Sequence, residues 1–502
     1  MNNGRLFLFC IGGTGSRVLR SLIFLMASGV KINAREIIPI IIDPDRDNGD
    51  VERTLRLLRY YRNTRAKAHT DKTDFFDANI QPLSGIGDRD VNAQVSDGFR
   101  ANIVSGNPAD THGQTFRSFL EFDSLDNETK SLIQLLYTED KNLESDLTVG
   151  FKGNPHMGSV VLNRLTDSQD FQYFVHNVTS EDRVFIVSSI FGGTGAAGFP
   201  LLVKNIRQPD AQFTGKQDVL KNIPLGAISV LPYFGVKPNP NSAIDKNTFI
   251  TKTKAALSHY DTVLAGLNAL YYIGDDVQKD YENVEGAAAQ ANDAHFVEVA
   301  GALAIIDFME YSKDDLRTGT KYKEYGTQQG TSLSVDFKQL GTKSRLTLGK
   351  PLVQFFYAWK HWQHRLPKAV NEPQCVYTKG NPKTNSIQLT ANLISSDFFS
   401  NNLRMLCQEF ETWLKQLAGN QVAFAPFNLN TAELQQMLQN VPQKAKGFAF
   451  FKSDKWDYKD FDSALDAAET QMGGFTAEQK LLALYAIATD DIYQDRIVDA
   501  MR

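Results

Sequence analysis

The 502-residue chain has only three cysteines, Cys10, Cys375 and Cys407. They are too few and too scattered for a disulfide framework or a thiolate metal site, so they are expected as reduced core residues. No stretch approaches 18 consecutive apolar residues, which excludes a helical membrane span. The opening MNNGRLFLFC carries an apolar run too short for a cleaved leader and lacks its small-residue cleavage site, so a cytoplasmic location is expected. Cationic excess is also missing. With 53 Lys and Arg against 58 Asp and Glu and a formal net charge of -5, the composition argues against a general nucleic-acid binder. No G-x-S-x-G nucleophile turn occurs. His361 and His364, in WKHWQHR, find no third ligand at metal spacing and are expected on an ordinary amphipathic helix.

What is present is globular in composition, 42% hydrophobic and 22% charged. Five short apolar runs punctuate the first half: RLFLFCI from Arg5, IIPIII from Ile37, RVFIVSSI from Arg183, PLGAISVL from Pro224 and ALYYI from Ala269. Runs without polar alternation imply strands buried on both faces, as in a parallel sheet covered by helices. Helical patterns separate most of them, so the expected fold is α/β, a three-layer, mostly parallel sheet with helices on both faces. Residues 44–130 are polar and read as loops and exposed helices inserted into that unit. NDAHFVEVAGALAIIDFMEYS, from Asn292, is apolar on almost every face and reads as a buried connecting helix. Beyond about residue 320 the patterns are largely helical, with one or two strands expected near SIQLTANLI. The expected division is 1–291, 292–312 and 313–502.

Two glycine-rich turns follow expected strands: Gly12, Gly13, Thr14, Gly15 and Ser16 in CIGGTGSRVL, and Gly192, Gly193, Thr194, Gly195 and Ala196 in IFGGTGAAGFP. A helix N-terminus offers unpaired N–H groups and a positive dipole end, and glycine lets a phosphate approach them. In a parallel sheet such loops share one carboxyl edge. Neither carries the lysine of a P-loop. Gly193 to Gly198 formally matches G-x-G-x-x-G, but the acids some 20 positions on, Asp210 and Asp218, lie in a polar loop instead of ending a strand.

IFGGTGAAGFP after a buried strand resembles the glycine signature loop of the tubulin and FtsZ superfamily, and the chain is closest to its divergent bacterial tubulin-like members. Other segments fall in that family's order: CIGGTGSRVL as first phosphate loop, IIIDPDRDN as second strand with an acidic loop, VGFKGNPHMGS as a third phosphate loop, ISVLPYFGVKPNPNSA after the fifth strand, and NDAHFVEVAGALAIIDF as central helix. The likeness spans about residues 4 to 312. It implies GTP/GDP with its α/β-phosphates on Gly12–Ser16 and its β/γ-phosphates on Gly192–Ala196. It further implies Mg²⁺ facing Asp43 or Asp45, Phe296 stacked on the base, and Asp314 and Asp315 as water-activating carboxylates. Family members self-associate into homo-oligomers or filaments, each subunit completing its neighbour's site, so GTP hydrolysis depends on assembly. Divergent bacterial members belong to multi-protein systems, including suspected anti-phage defence. The helical C-terminal region would bind protein partners.

Departures from the family pattern are specific. Ser16 and Arg17 replace residues that touch sugar and base, Ala300 stands where an Asp or Asn reads guanine, with Glu298 as a candidate substitute, and the asparagine of the catalytic loop is absent. Two alternatives therefore stay open: a nucleotide-binding scaffold without hydrolysis, and a dinucleotide-dependent enzyme with a degenerate Rossmann loop.

Overall fold

The computed structural model describes residues 4–45, 47–87, 98–101, 115–137, 140–147, 150–151, 154–237, 246–275, 280–281, 292–325, 334–420, 422–441 and 456–501. In chain order, the elements that place the site are β1 (Leu6–Ile11), α1 (Gly12–Ala27), β2 (Ile37–Ile42), α2 (Gly49–Ala68), α3 (Pro155–Leu162), β3 (Arg183–Ser189), α4 (Gly193–Arg207), β4 (Leu225–Val230), β5 (Ala269–Ile273), α5 (Phe296–Glu310) and β6 (Lys321–Tyr325). The six strands form one all-parallel sheet ordered β2-β1-β3-β4-β5-β6. Two isolated parallel bridges, Ile37 to Ile80 and Ile41 to Arg100, lie beyond β2.

The unbroken apolar runs form strands because both faces are covered. Phe7 and Phe9 of β1 meet Phe174 at 5.0 and 5.1 Å on one face. On the other, Phe185 of β3 meets Phe308 of α5 at 5.3 Å, over Gly226, where any β-carbon would lie 2.7 Å from the Phe308 ring. Helix α5 buries 12 of its 15 residues, as its all-round apolar pattern requires.

The C-terminal half adds α6 (Thr342–His364), α7 (Arg404–Ala418), α8 (Tyr458–Glu469) and α9 (Ala477–Arg496). Helices α6, α7 and α9 pack on the layer made by α1 and α2, and α8 packs on α9. The Trp413 indole donates to Ser21 Oγ at 3.2 Å, and Phe24 touches Phe410 and Trp413. Phe355 lies against Phe75 and Phe76. Helix α1 is therefore enclosed on all sides, with Gly13 its one residue that is not buried.

Three expectations change. The edge strand β6, KYKEY, comes from beyond residue 313, so the sheet does not end where the helical region was expected to begin. No strand forms near Ser386–Ile394: a bridge to Asn381 closes a tight turn at Ser386, and Ala391–Ser395 is a helical turn. Within 44–130, α2 is not an exposed insertion. Its amphipathic pattern buries eight residues, including Leu57, Leu58 and Tyr61.

Candidate functional site

The strand order reverses between β2 and β3, because β1 pairs with both. In open parallel sheets ligands bind at such a switch point, outside the carboxyl ends of the strands. The two glycine turns leave β1 and β3 and so flank it. Helix α1 starts at Gly12 and α4 at Gly193, and neither has a side chain capping its first turn. Two sets of helix N-terminal donors thus converge. A β-carbon built at Gly12 would lie 3.7 Å from Thr194 Cβ and 4.0 Å from Gly195 N.

The glycines divide by what surrounds them. At Gly15 a β-carbon would fall 2.6 Å from the Cys10 carbonyl carbon, and at Gly195 it would fall 2.5 Å from Ser189 O. These two let their helices settle onto the strands. Gly12 has φ of +70°, a conformation natural to glycine. At Gly13 the nearest atoms would be 3.7 Å away, Arg17 Nη1 and Asn48 Nδ2, so its lack of a side chain answers to no protein neighbour. Thr194 is half-buried beside Gly12, and the Ala196 carbonyl accepts from the Tyr260 hydroxyl at 3.3 Å.

Asp43 and Asp45, immediately after β2, are 5% and 2% exposed, so they are not a solvated turn. Asp43 Oδ1 accepts from Asp45 N at 3.0 Å and Oδ2 from Asn48 Nδ2 at 3.3 Å, while Arg100 holds the Asp43 carbonyl at 2.8 Å. Asn48 also caps α2 through Asp50 N and Val51 N. Burial, with Asp45 and Asp50 nearby, pushes Asp43 up to about 7 although Arg100 opposes it. A buried carboxylate held near neutrality fits a divalent cation, whose charge would restore the ionised form. Among the described residues no three acidic, histidine or cysteine side chains are grouped as a metal cage.

Behind the first glycine turn lies a fully buried hub. The Arg17 guanidinium donates to Asp50 Oδ2 and Glu298 Oε1, each at 2.8 Å, to the Tyr233 hydroxyl at 2.7 Å and to Thr14 Oγ1 at 3.2 Å. Tyr233 in turn donates to Glu298 Oε1 at 3.0 Å. One side chain thereby joins the turn, the start of α2, the loop after β4 and the start of α5. The hub is not closed: among the described residues Glu298 Oε2, Ser16 Oγ, and Nε and Nη2 of Arg20 are buried without a hydrogen-bond partner. Burial raises the Glu298 pKa, with Arg17 and Arg20 opposing. Buried polar groups are ordinarily paired, so donors and acceptors stand ready here for a polar ligand or for waters.

Other expected residues fall differently. Phe296 opens α5, but its ring stacks on Phe424 of the C-terminal half at 5.1 Å, so that face is taken. The adjoining Ala294 is held by Gln416 through its N–H and by Asn420 through its carbonyl. Asp314 and Asp315 sit at the opposite, amino edge of the sheet, where neighbouring Lys313 reaches Glu181 ahead of β3 at 2.7 Å. Asp315 accepts from Ser312 N and Oγ in a capping box, and exposed Asp314 pairs with Arg317. Within one chain neither reaches the glycine turns. In the expected third phosphate loop Val149, Lys152 and Gly153 lie outside the described residues, as do 238–245 of the loop after β4. The described part does converge: Gly150 approaches Asp45, and a β-carbon at Gly158 would lie 3.1 Å from Gly193 O.

Sequence reasoning missed Asp50, Asn48, Tyr233 and Arg100. Asn48 was readable as a cap ahead of the acidic turn Asp50 and Glu52; the others carry no local signal. Comparisons with protein-family models, curated proteins and solved structures return no match for this chain.

Proposed function

We propose that the protein binds a nucleotide, GTP or GDP, at the β1/β3 switch point. The observation that carries this is the meeting of two helix N-termini without side-chain caps, floored by glycines of which Gly13 would bear a β-carbon without clashing with any neighbour. Phosphates would lie on Gly12 to Ser16 and Gly192 to Ala196, Mg²⁺ at Asp43 and Asp45, and the remaining ligand toward Glu298 and Arg20. The resemblance to bacterial tubulin-like proteins supports this reading. So does the separation of Asp314 and Asp315 from the glycine turns: carboxylates at the amino edge could act only on the nucleotide of another copy stacked head to tail, making hydrolysis assembly-dependent.

The capping-box bonds of Asp315 favour a second version, a nucleotide-binding scaffold without hydrolysis, serving a multi-protein bacterial system through its C-terminal half. A dinucleotide-dependent enzyme retains one point: Asp43 ends a strand beside a glycine turn, where a carboxylate meets ribose in dinucleotide folds. Purified protein should be denatured and its released nucleotides identified by chromatography, with affinities for GTP and NAD measured alongside. Guanine nucleotide supports the proposal, NAD replaces it with the enzyme reading, and no bound or binding nucleotide of either kind overturns it. Turnover of Asp314→Ala and Asp315→Ala then separates the two versions. A collapse requires hydrolysis by these acids; equal turnover rules it out.

A further inference from the structure

Helix α2 carries a charge distribution unlike that of the chain. Its 20 residues include Arg53, Arg56, Arg59, Arg62, Arg65 and Lys67 against only Asp50 and Glu52, while acids outnumber bases in the whole protein. Asp50 is turned inward to Arg17 and Arg53. Arg56, Arg59, Asn63 and Lys67 recur at helical spacing on one exposed face, which spans about 16 Å at the rise of an α-helix. Exposed Glu52 marks its N-terminal end.

These cations are barely neutralised. Arg56 reaches Glu409 only at 4.0 Å, and among the described residues Arg59 and Lys67 have no carboxylate partner. On the flank, half-buried Arg62 lies over the Phe99 ring at 5.6 Å and reaches Gln81 at 3.5 Å. Beside the stripe stand half-buried Tyr60 and the amides of Asn63 and Asn402, which bond each other at 2.9 Å. Asn402 belongs to the turn Phe398–Leu403, whose π-helical winding is uncommon and recurs at functional sites.

We propose that the outer face of α2 is a docking surface for the phosphodiester backbone of single-stranded nucleic acid. Arginine, five of the six cations, matches phosphate with its planar fork. A basic stripe with an aromatic ring beside it can take backbone and base together. The negative total charge speaks against binding over the general surface and leaves this face as the place for it. The surface is independent of the glycine turns.

The test is fluorescence anisotropy of a labelled 20-nucleotide oligo-dT with the full chain, from 50 to 200 mM salt. Wild type should bind with an affinity that falls with salt at a log–log slope of about -2, as about three neutralised phosphates on a single strand require. Arg56→Glu with Arg59→Glu and Lys67→Glu should weaken binding at least tenfold. Melting temperature and any thermal shift with GTP should stay unchanged, since all three side chains are exposed. Arg56→Gln with Arg59→Gln should give an intermediate loss. Equal binding by the charge-reversed variant overturns the proposal, as does binding confined to duplex DNA or to polyglutamate.

Discussion

Two of the buried polar clusters in this molecule, one behind the first glycine turn and one among the C-terminal helices, are finished differently. In the C-terminal cluster the ionisable groups are paired with one another, and the unpaired buried atoms, Trp362 Nε1 and the Tyr458 hydroxyl, lie on its flanking rings. His361, fully buried, sits between Asp462 at 3.1 Å and the Tyr485 hydroxyl at 2.7 Å, and Asp462 also accepts from Arg365 at 2.8 and 2.6 Å and from Tyr377 at 3.0 Å. Both ring nitrogens of His361 are thus engaged within the protein. The cluster around Arg17 instead leaves Glu298 Oε2, Ser16 Oγ and two Arg20 nitrogens without partners among the described residues. A closed network holds helices in register; an open one beside uncapped helix ends leaves polar atoms that the proposed nucleotide would pair.

The contrast can be broken most severely at the C-terminal cluster. Asp462→Ala removes the carboxylate shared by buried His361, Tyr377 and Arg365, leaving Arg365 only the Glu372 carboxylate, and should cost about 3–5 kcal/mol, read by chemical denaturation. Acid reaches the same cluster in wild type. Burial lowers the His361 pKa, with Asp462 opposing, so its contribution is full above its unfolded value near 6.5 and is lost as pH falls below it. The hydrogen-bonded Asp462 lies below its ordinary value despite its burial, so its share is present above 3.8 and lost at still lower pH. Stability should therefore begin to decline below about pH 6.5, and Asp462→Ala, which removes the group opposing the His361 shift, should deepen that decline.

Among the glycines, Gly195→Ala must push its methyl against Ser189 O and should cost about 2–3 kcal/mol through overpacking. Asp43→Asn should do the reverse. Because burial raises Asp43 to about 7, the wild type loses stability as pH rises from 3.8 through 7. The amide should gain about 1–3 kcal/mol at pH 8 and nothing near pH 3, and saturating Mg²⁺ with nucleotide should remove the gain. The smallest stability effect belongs to Gly13→Ala, within about 0.5 kcal/mol, yet nucleotide affinity should drop at least tenfold. If Gly13→Ala instead unfolds the protein while Gly195→Ala is silent, the division of the glycines into ligand-facing and packing is reversed.

Much of this architecture is legible in the chain. Five of the six central strands announce themselves as unbroken apolar runs, because parallel strands buried on both faces have no polar side to write. The sixth, KYKEY, is an edge strand: Tyr322 is 70% exposed, and Lys323 is drawn to Asp307 at 2.6 Å, so its letters read as surface. The glycine turns were legible in position but not in division of labour, since nothing local separates Gly13 from Gly195. Arg17 was visible as a departure from the family pattern. That it binds Asp50, Tyr233 and Glu298 depends on contacts 33, 216 and 281 positions away, beyond any local reading. Phe296 shows the opposite limit, an aromatic residue whose face is filled by Phe424 from the C-terminal half.

The central claim is that the two glycine turns hold a nucleotide, and thermal unfolding with GTP and Mg²⁺ tests it most directly. At a hundred times its dissociation constant the ligand should add about 2.7 kcal/mol of stability to the wild type, and the same concentration should add far less to Gly13→Ala. An unchanged unfolding transition of the wild type with GTP and GDP at millimolar concentration would contradict the claim and return both turns to packing alone.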